Sequence, residues 1–362
     1  MRRLRPPSFR TVHAFRSVVP SLLASLVVLV PHPALAAPSS CDNPQTNTCI
    51  NAETLWPNPG PSRFVGVAGT ETVAPAHLGF GLLASYLSRP IVLHLPSPAP
   101  TGTDVNAIDN QINANFLFAY GIAKQLELDL ALPLTLIQSG SGISGLTAGD
   151  RLRNTAMRDL RFGLAYAILP RVEPEQHFAL AARFVVSAPT GDSDQFARDK
   201  SAVFAPSVAA DYRRGRWFAG LELGARIRET SEFVGGRVGT QGYAALGIGF
   251  DILRNDLLSV TGEARVMPIF PEQHDLVQDG SFLRSEPNGK HLVPAEWTAG
   301  VRSAPFEKTD VAFQISGGGA IPFNDPLAMT TPRFRFTLGI VYAPRAPSAS
   351  ITNVTKPTVA HP

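Results

Sequence analysis

From residue 126 to residue 138 the chain reads Leu-Glu-Leu-Asp-Leu-Ala-Leu-Pro-Leu-Thr-Leu-Ile-Gln, with leucine at every even position from Leu126 to Leu136. The odd positions hold Glu127, Asp129, Ala131, Pro133 and Thr135. A period of two describes a strand with one apolar and one polar face. Strands of globular domains usually have about 5–6 residues, whereas a tilted strand crossing a bilayer needs roughly 9–11. This segment has the longer length.

The same alternation recurs from Ala76 to Tyr342. Leu78, Phe80, Leu82, Ala84 and Tyr86 share one face, and Ala114, Phe116, Phe118 and Tyr120 share the next, opposite Asn113 and Asn115. Leu160 to Ile168, Phe178 to Val186, Phe204 to Tyr212 and Trp217 to Ile227 repeat the pattern. Leu246 to Ile252, Leu258 to Val266, Ala295 to Val301, Val311 to Ile315 and Phe334 to Tyr342 complete it. The count is about twelve, even as in single-chain bacterial barrels. Short connections at residues 124–125, 170–176, 213–216, 254–256 and 305–309 alternate with long ones at 88–111, 139–156, 189–200, 229–240, 268–290 and 322–331. That is the plan of an up-and-down antiparallel transmembrane β-barrel with short periplasmic turns, long outer loops and both termini periplasmic. A closed meander also leaves no strand edge unpaired in lipid.

A soluble β-sandwich alternates apolar-in and polar-out as well. Strand length, an export signal and the placement of aromatic residues favour the membrane barrel. Tyr120, Tyr166, Phe178, Tyr212, Trp217 and Tyr342 fall at the short-turn ends of strands, and Tyr86, Trp297 and Phe334 at the long-loop ends. Two aromatic girdles are expected where a barrel meets the two membrane interfaces. Pro133 and Pro206 fit less well, because proline deletes a ladder hydrogen bond inside a strand.

The export signal is the N-terminus. Arg2, Arg3, Arg5, Arg10 and Arg16 precede an apolar run from Val18 to Val30, and Ala34-Leu35-Ala36 follows. These three parts describe a signal peptide spanning residues 1–36. An anchoring helix would need about 20 apolar residues, and Pro31 and Pro33 end the run early. Residues 37–75 then form a periplasmic segment in which Cys41 and Cys49 are expected to bridge. Pro57, Pro59, Gly60 and Pro61 make that segment a stiff linker, and no fold is expected before Val73. The barrel occupies residues 76–344, and a Pro/Ser/Thr-rich tail, residues 345–362, is expected to be disordered in the periplasm.

Composition removes several classes. With 44% hydrophobic and 17% charged residues, the 362-residue chain is too polar for a bundle of membrane helices and too apolar and regularly patterned to be disordered. A net charge of +3 does not imply nucleic acid as a partner. The two cysteines, with no histidine cluster, give no metal-site spacing, and no cofactor is implied. The 30 glycines and 32 prolines suit a fold with many turns.

Leu132-Pro133-Leu134 ending a strand, Asp159-Leu160-Arg161-Phe162-Gly163 opening the next, and Ala188-Pro189-Thr190-Gly191-Asp192 entering a loop carry a resemblance. The closing Phe336-Thr337-Leu338-Gly339-Ile340-Val341-Tyr342 adds to it. Over residues 76–344 the chain resembles the transmembrane barrel part of the outer-membrane protein A (OmpA) superfamily, or a neighbouring twelve-stranded porin-like family. The resemblance implies a bacterial outer-membrane location, outer-membrane lipid around the barrel, and a last strand read by the barrel-insertion machinery. The chain departs from longer members in having no peptidoglycan-binding domain after residue 344.

With the large apolar faces toward lipid, the inward positions hold Glu127, Asp129, Asp159, Arg161, Arg183, Asp211, Glu222 and Arg226. They continue with Asp251, Glu263, Arg265, Glu296, Arg302, Arg333 and Arg335. Two readings stand: an ion-pair network that fills the interior, or a polar pore tuned by charge. Small neighbouring residues leave room and favour a narrow channel, with Arg302, Arg333 and Arg335 making one wall basic. His274 and His291, with Asp275, Asp279 and Ser281 nearby, offer catalytic residue types but no ordering motif. Asp192 and Asp194 begin like a calcium loop but lack its central glycine and closing glutamate. The expected function is a porin-like outer-membrane channel for small hydrophilic solutes. A non-conducting structural or adhesive barrel acting through its outer loops is the alternative, and a soluble exported β-protein the third reading.

Overall fold

The wall of the protein is made of twelve antiparallel strands: β1 (Leu78–Leu95), β2 (Thr103–Ala123), β3 (Leu126–Ser139), β4 (Leu160–Leu169), β5 (Phe178–Ala188), β6 (Val203–Arg214), β7 (Trp217–Arg226), β8 (Gln241–Leu253), β9 (Leu258–Val266), β10 (Ala295–Ser303), β11 (Val311–Ala320) and β12 (Phe334–Tyr342). The computed structural model describes residues 40–43, 46–95, 103–145, 151–171, 176–253, 257–279, 282–304, 310–323 and 329–344. The expected signal peptide, the tail, and the turns at 254–256 and 305–309 lie outside the described residues.

Each strand pairs with its neighbours in sequence, and β12 pairs back onto β1 from Phe80↔Tyr342 to Ser88↔Phe334. That pairing closes the sheet, so every strand has two partners. The alternation seen in the sequence becomes an inside and an outside. Outward residues such as Leu338 (56% exposed), Leu223 (52%) and Leu246 (49%) form an apolar band around the barrel. A band of that kind facing water would be far larger than any patch a soluble monomer carries, so it is a lipid-facing surface. Tyr120, Tyr166, Tyr212, Trp217 and Tyr342 ring its short-turn edge, and Tyr86 and Trp297 lie at the long-loop edge. The barrel is transmembrane, and the sandwich reading is set aside.

Both awkward prolines sit where the ladder is interrupted. The β3–β4 pairing ends at Ala131↔Arg161, and β3 continues with a shifted register against the two-residue strand Ala156–Met157. Pro133 lies in the gap and accepts from the Arg158 N–H at 3.2 Å. The β6–β7 pairing stops at Ser207↔Gly224 and resumes as the single bridge Phe204↔Ile227, with Pro206 between. A residue with no N–H is tolerated at such breaks.

Three long connections differ from expectation. Residues 88–111 are largely strand, because β1 and β2 run on together, through two register shifts, to Leu95↔Thr103. The 229–240 and 268–290 connections each carry a hairpin, Ser231–Phe233 with Gly236–Val238 and His274–Asp279 with Phe282–Pro287. The sequence signal failed there because these extensions stand beyond the lipid band, where no apolar face is required and the period-two contrast fades.

An arginine placed on the lipid face tests this orientation. Leu338→Arg is expected to lower barrel stability by about 2–4 kcal/mol, the cost of an arginine near the bilayer midplane. Denaturant titration in lipid vesicles measures it.

The barrel lumen as candidate functional site

The largest departure from the sequence reading is residues 46–75, expected as a linker outside the barrel. They run through its interior. Almost every residue from Asn47 to Thr70 is buried. The strap begins among the long loops, where the Asn47 N–H donates to the Glu232 carbonyl at 3.0 Å and Thr48 Oγ1 to the Ser193 carbonyl at 2.8 Å. It ends among the short turns, where Ala74 N–H reaches Pro344 O at 2.9 Å and Ala76 N–H reaches Gly121 O at 2.7 Å. The described chain therefore enters at the long-loop end and leaves, at Pro344, at the other. Both ends do not share the short-turn side, as the strand count alone had suggested.

Inward carboxylates hold the strap largely through its backbone N–H groups. Glu263 accepts from Val65 (2.8 Å) and Gly66 (2.7 Å), Glu222 from Ala68 (3.0 Å), and Glu127 from Val73 (2.6 Å). An irregular strap buried in a closed barrel would otherwise strand these donors, each at a cost of about 1–3 kcal/mol. Side chains complete the contact. Thr70 Oγ1 donates to Asp211 at 2.6 Å, and Arg63 pairs with Asp251 at 3.2 Å. Asp211 is also paired with Arg171 and Arg213, which share Glu71 of the strap.

At the level of Glu53 the network is ionic. Arg335 lies 2.5 Å from Glu53 and 2.9 Å from Glu296, and Arg265 lies 2.8 Å from Glu296. Ser85 Oγ and Asn113 Nδ2 donate to the second Glu53 oxygen, and Thr54 Oγ1 to Glu296. Asp129 holds Arg183 at 2.6 Å, and Asp159 accepts from the Gly191 and Asp199 backbone. Arg302 is buried in the wall, but Arg333 is exposed at the rim and lines nothing. Its place just before β12 puts it outside the alternation that turns Arg335 inward.

Apolar contacts also seat the strap. Phe64 packs on Phe218, with ring centroids 5.4 Å apart. Its ring occupies the space over Gly220 and Gly247, where an added Cβ would stand 2.9 Å and 2.6 Å from it. Beyond the lipid band, Ile50 and Ala52 join Ile91, Leu93, Phe196 and Phe233 in a second core that caps the barrel. Cys41 and Cys49 are disulfide-bonded at the edge of this cap, with Cα atoms 5.2 Å apart. Small hollows lie beside the strap, among them one of about 60 Å³ at Trp56 and two of about 20 Å³.

His274 does not join the loop residues expected beside it. Its Nδ1 lies 2.8 Å from Ser285 Oγ and 3.2 Å from Glu232, and its Nε2 lies 3.0 Å from Arg237. Serine and carboxylate meet the same ring nitrogen while a guanidinium takes the other, an arrangement that ties the two loop hairpins together. Ser281 lies outside the described residues. Asp192 accepts from the Met157 N–H at 2.9 Å, a contact that ties the 189–200 connection to the two-residue strand Ala156–Met157.

Fold and site together define a twelve-stranded transmembrane β-barrel with its own N-terminal strap in the lumen. No protein-family model matches the sequence, so the likeness to the outer-membrane protein A superfamily rests on the quoted motifs. No curated protein matches it either. Among solved structures, the COG4313 outer membrane channel from Pseudomonas putida F1 is similar at 13% identity, over 76% of this chain and 98% of that one, with a TM-score of 0.51. A NanC porin aligns over 73% of this chain and 98% of its own at 7% identity and a TM-score of 0.42. Outer membrane phospholipase A from Escherichia coli aligns over 75% and 94% at 10% identity and a TM-score of 0.36. At 13% identity the likeness to the COG4313 channel is one of fold.

Removing one member of the buried ionic cluster isolates its partners. Arg335→Ala leaves Glu53 and Glu296 facing each other and is expected to cost about 3–5 kcal/mol. Denaturant unfolding of the detergent-folded protein measures the loss.

Proposed function

We propose that this chain is a bacterial outer-membrane channel that passes small hydrophilic solutes through a charged lumen narrowed by an internal strap. The observation that carries this reading is the juxtaposition of a lipid-facing exterior with an interior of ionisable and polar groups that line small hollows. A barrel meant only as a membrane anchor would need no such interior. The short turns would lie in the periplasm and the capped long-loop end outside. Delivery would follow cleavage of the signal peptide and insertion by the barrel machinery, as the resemblance to the outer-membrane protein A superfamily implies. Conduction through hollows this small is confined to ions and solutes of a few heavy atoms while the strap is seated.

The filled lumen itself favours a second reading, a non-conducting barrel whose capped loops meet partners outside the cell. Single-channel recording of the refolded full chain in a planar bilayer separates the two. The channel reading expects small, discrete conductance steps. It also expects Gly247→Leu, which takes the space of the Phe64 ring and loosens the strap, to raise the step size several-fold. Silence from both proteins, each shown folded by heat-modifiable migration, would favour the non-conducting barrel.

A further inference from the structure

The inward charges are unevenly matched. Around the 60 Å³ hollow, Asp129 is taken by Arg183, and Glu222 is taken by the Ala68 N–H and the Ser207 hydroxyl. Arg161 and Arg226 line the same hollow with no such counter-charge. Arg161 donates to the Asn115 amide oxygen at 2.8 Å, and Arg226 to the Thr54 carbonyl at 3.0 Å. Among the described residues, neither guanidinium has a carboxylate within 4.0 Å. Both are buried, 5% and 6% exposed. Both lie against the Trp56 ring, with guanidinium carbons 5.2 Å and 4.1 Å from its centre, and Arg226 also lies 5.3 Å from the Tyr243 ring.

Cation–π contacts offset part of the cost of burying a guanidinium, but not a whole charge, and two like charges beside one ring repel each other. Arg158, also buried, makes neutral contacts to Asn51, Asn113 and Thr135 and no ion pair among the described residues. The wall here carries several buried cations, while of the hollow's carboxylates Asp129 is held by Arg183 and Glu222 by the strap and Ser207. A water-sized position needs roughly 10–15 Å³, so the hollow has room for on the order of four to six of them.

We propose that the hollow bounded by Trp56, Arg161 and Arg226 is an anion-binding subsite that takes a small carboxylate. Forked guanidinium donors match the two oxygens of a carboxylate, and the volume suits an acetate-sized ion. As a station on a solute path it rests on the channel reading above; as a binding site it does not.

The test separates the two. The full chain carries three tryptophans, so Trp217→Phe with Trp297→Phe leaves Trp56 as the sole reporter. Titration of the detergent-folded protein with sodium acetate, against sodium fluoride at matched ionic strength, is expected to give a saturable change in Trp56 emission. Adding Arg161→Gln with Arg226→Gln is expected to weaken it at least about tenfold, the effect of losing charge-assisted bonds. Heat-modifiable migration checks that the variant is folded. No saturable change in the Trp56-only protein, or one unaltered by the arginine changes, would overturn the site. In a planar bilayer with a potassium acetate gradient, the reversal potential is expected to favour acetate and to shift toward potassium in the arginine variant. Acetate binding without conductance would leave the site standing and remove the channel reading. Conductance without acetate binding would do the reverse.

Discussion

Charged groups inside a closed barrel must find partners inside it, and that requirement shapes this molecule. Lipid takes the apolar face of every strand, so the polar face has nowhere to look but inward. The lumen is lined by Glu127, Glu222, Glu263, Glu296, Arg265 and Arg335, among others, too far from bulk water to be solvated freely. Partners come partly from across the lumen, as with Asp129 and Arg183. The remainder come from a segment of the same chain, whose backbone donors and Glu53 meet wall groups that would otherwise be unmatched.

Strap and wall are therefore one structure. The strap is held at the long-loop end by an apolar cap, in the middle by ion pairs around Arg335, and lower down by backbone donors on carboxylates. The charge pattern also divides the lumen. Glu127, Glu222 and Glu263 engage the strap backbone, while Arg161 and Arg226 lie on the wall against Trp56.

The barrel itself was legible because lipid imposes a strict period of two on its wall. Leu126 to Leu136 announce it, and the same rule assigned the inward charges apart from Arg333, which stands outside the alternation. The strap was not legible, since a chain with neither helical nor strand periodicity, broken by Pro57, Pro59, Gly60 and Pro61, reads as a linker. Two signals pointed to it. Phe64-Val65-Gly66-Val67-Ala68 is too apolar for a solvated linker, and Gly220 and Gly247 at inward positions leave a space that something must fill. The extended β1–β2 hairpin escaped notice for a related reason. Above the lipid band its apolar residues, Ile91, Leu93 and Ile108, face the strap rather than a membrane.

Hydrogen exchange in the strap, read residue by residue on the full chain in lipid, tests the central claim most directly. The Val65, Gly66, Ala68 and Val73 amides donate to inward carboxylates, so their exchange should be slowed to the range of the barrel strands. Exchange of those four amides at the rate of an unstructured peptide would contradict the account, because it would put the strap outside the lumen and leave the carboxylates of the wall without the donors that match them.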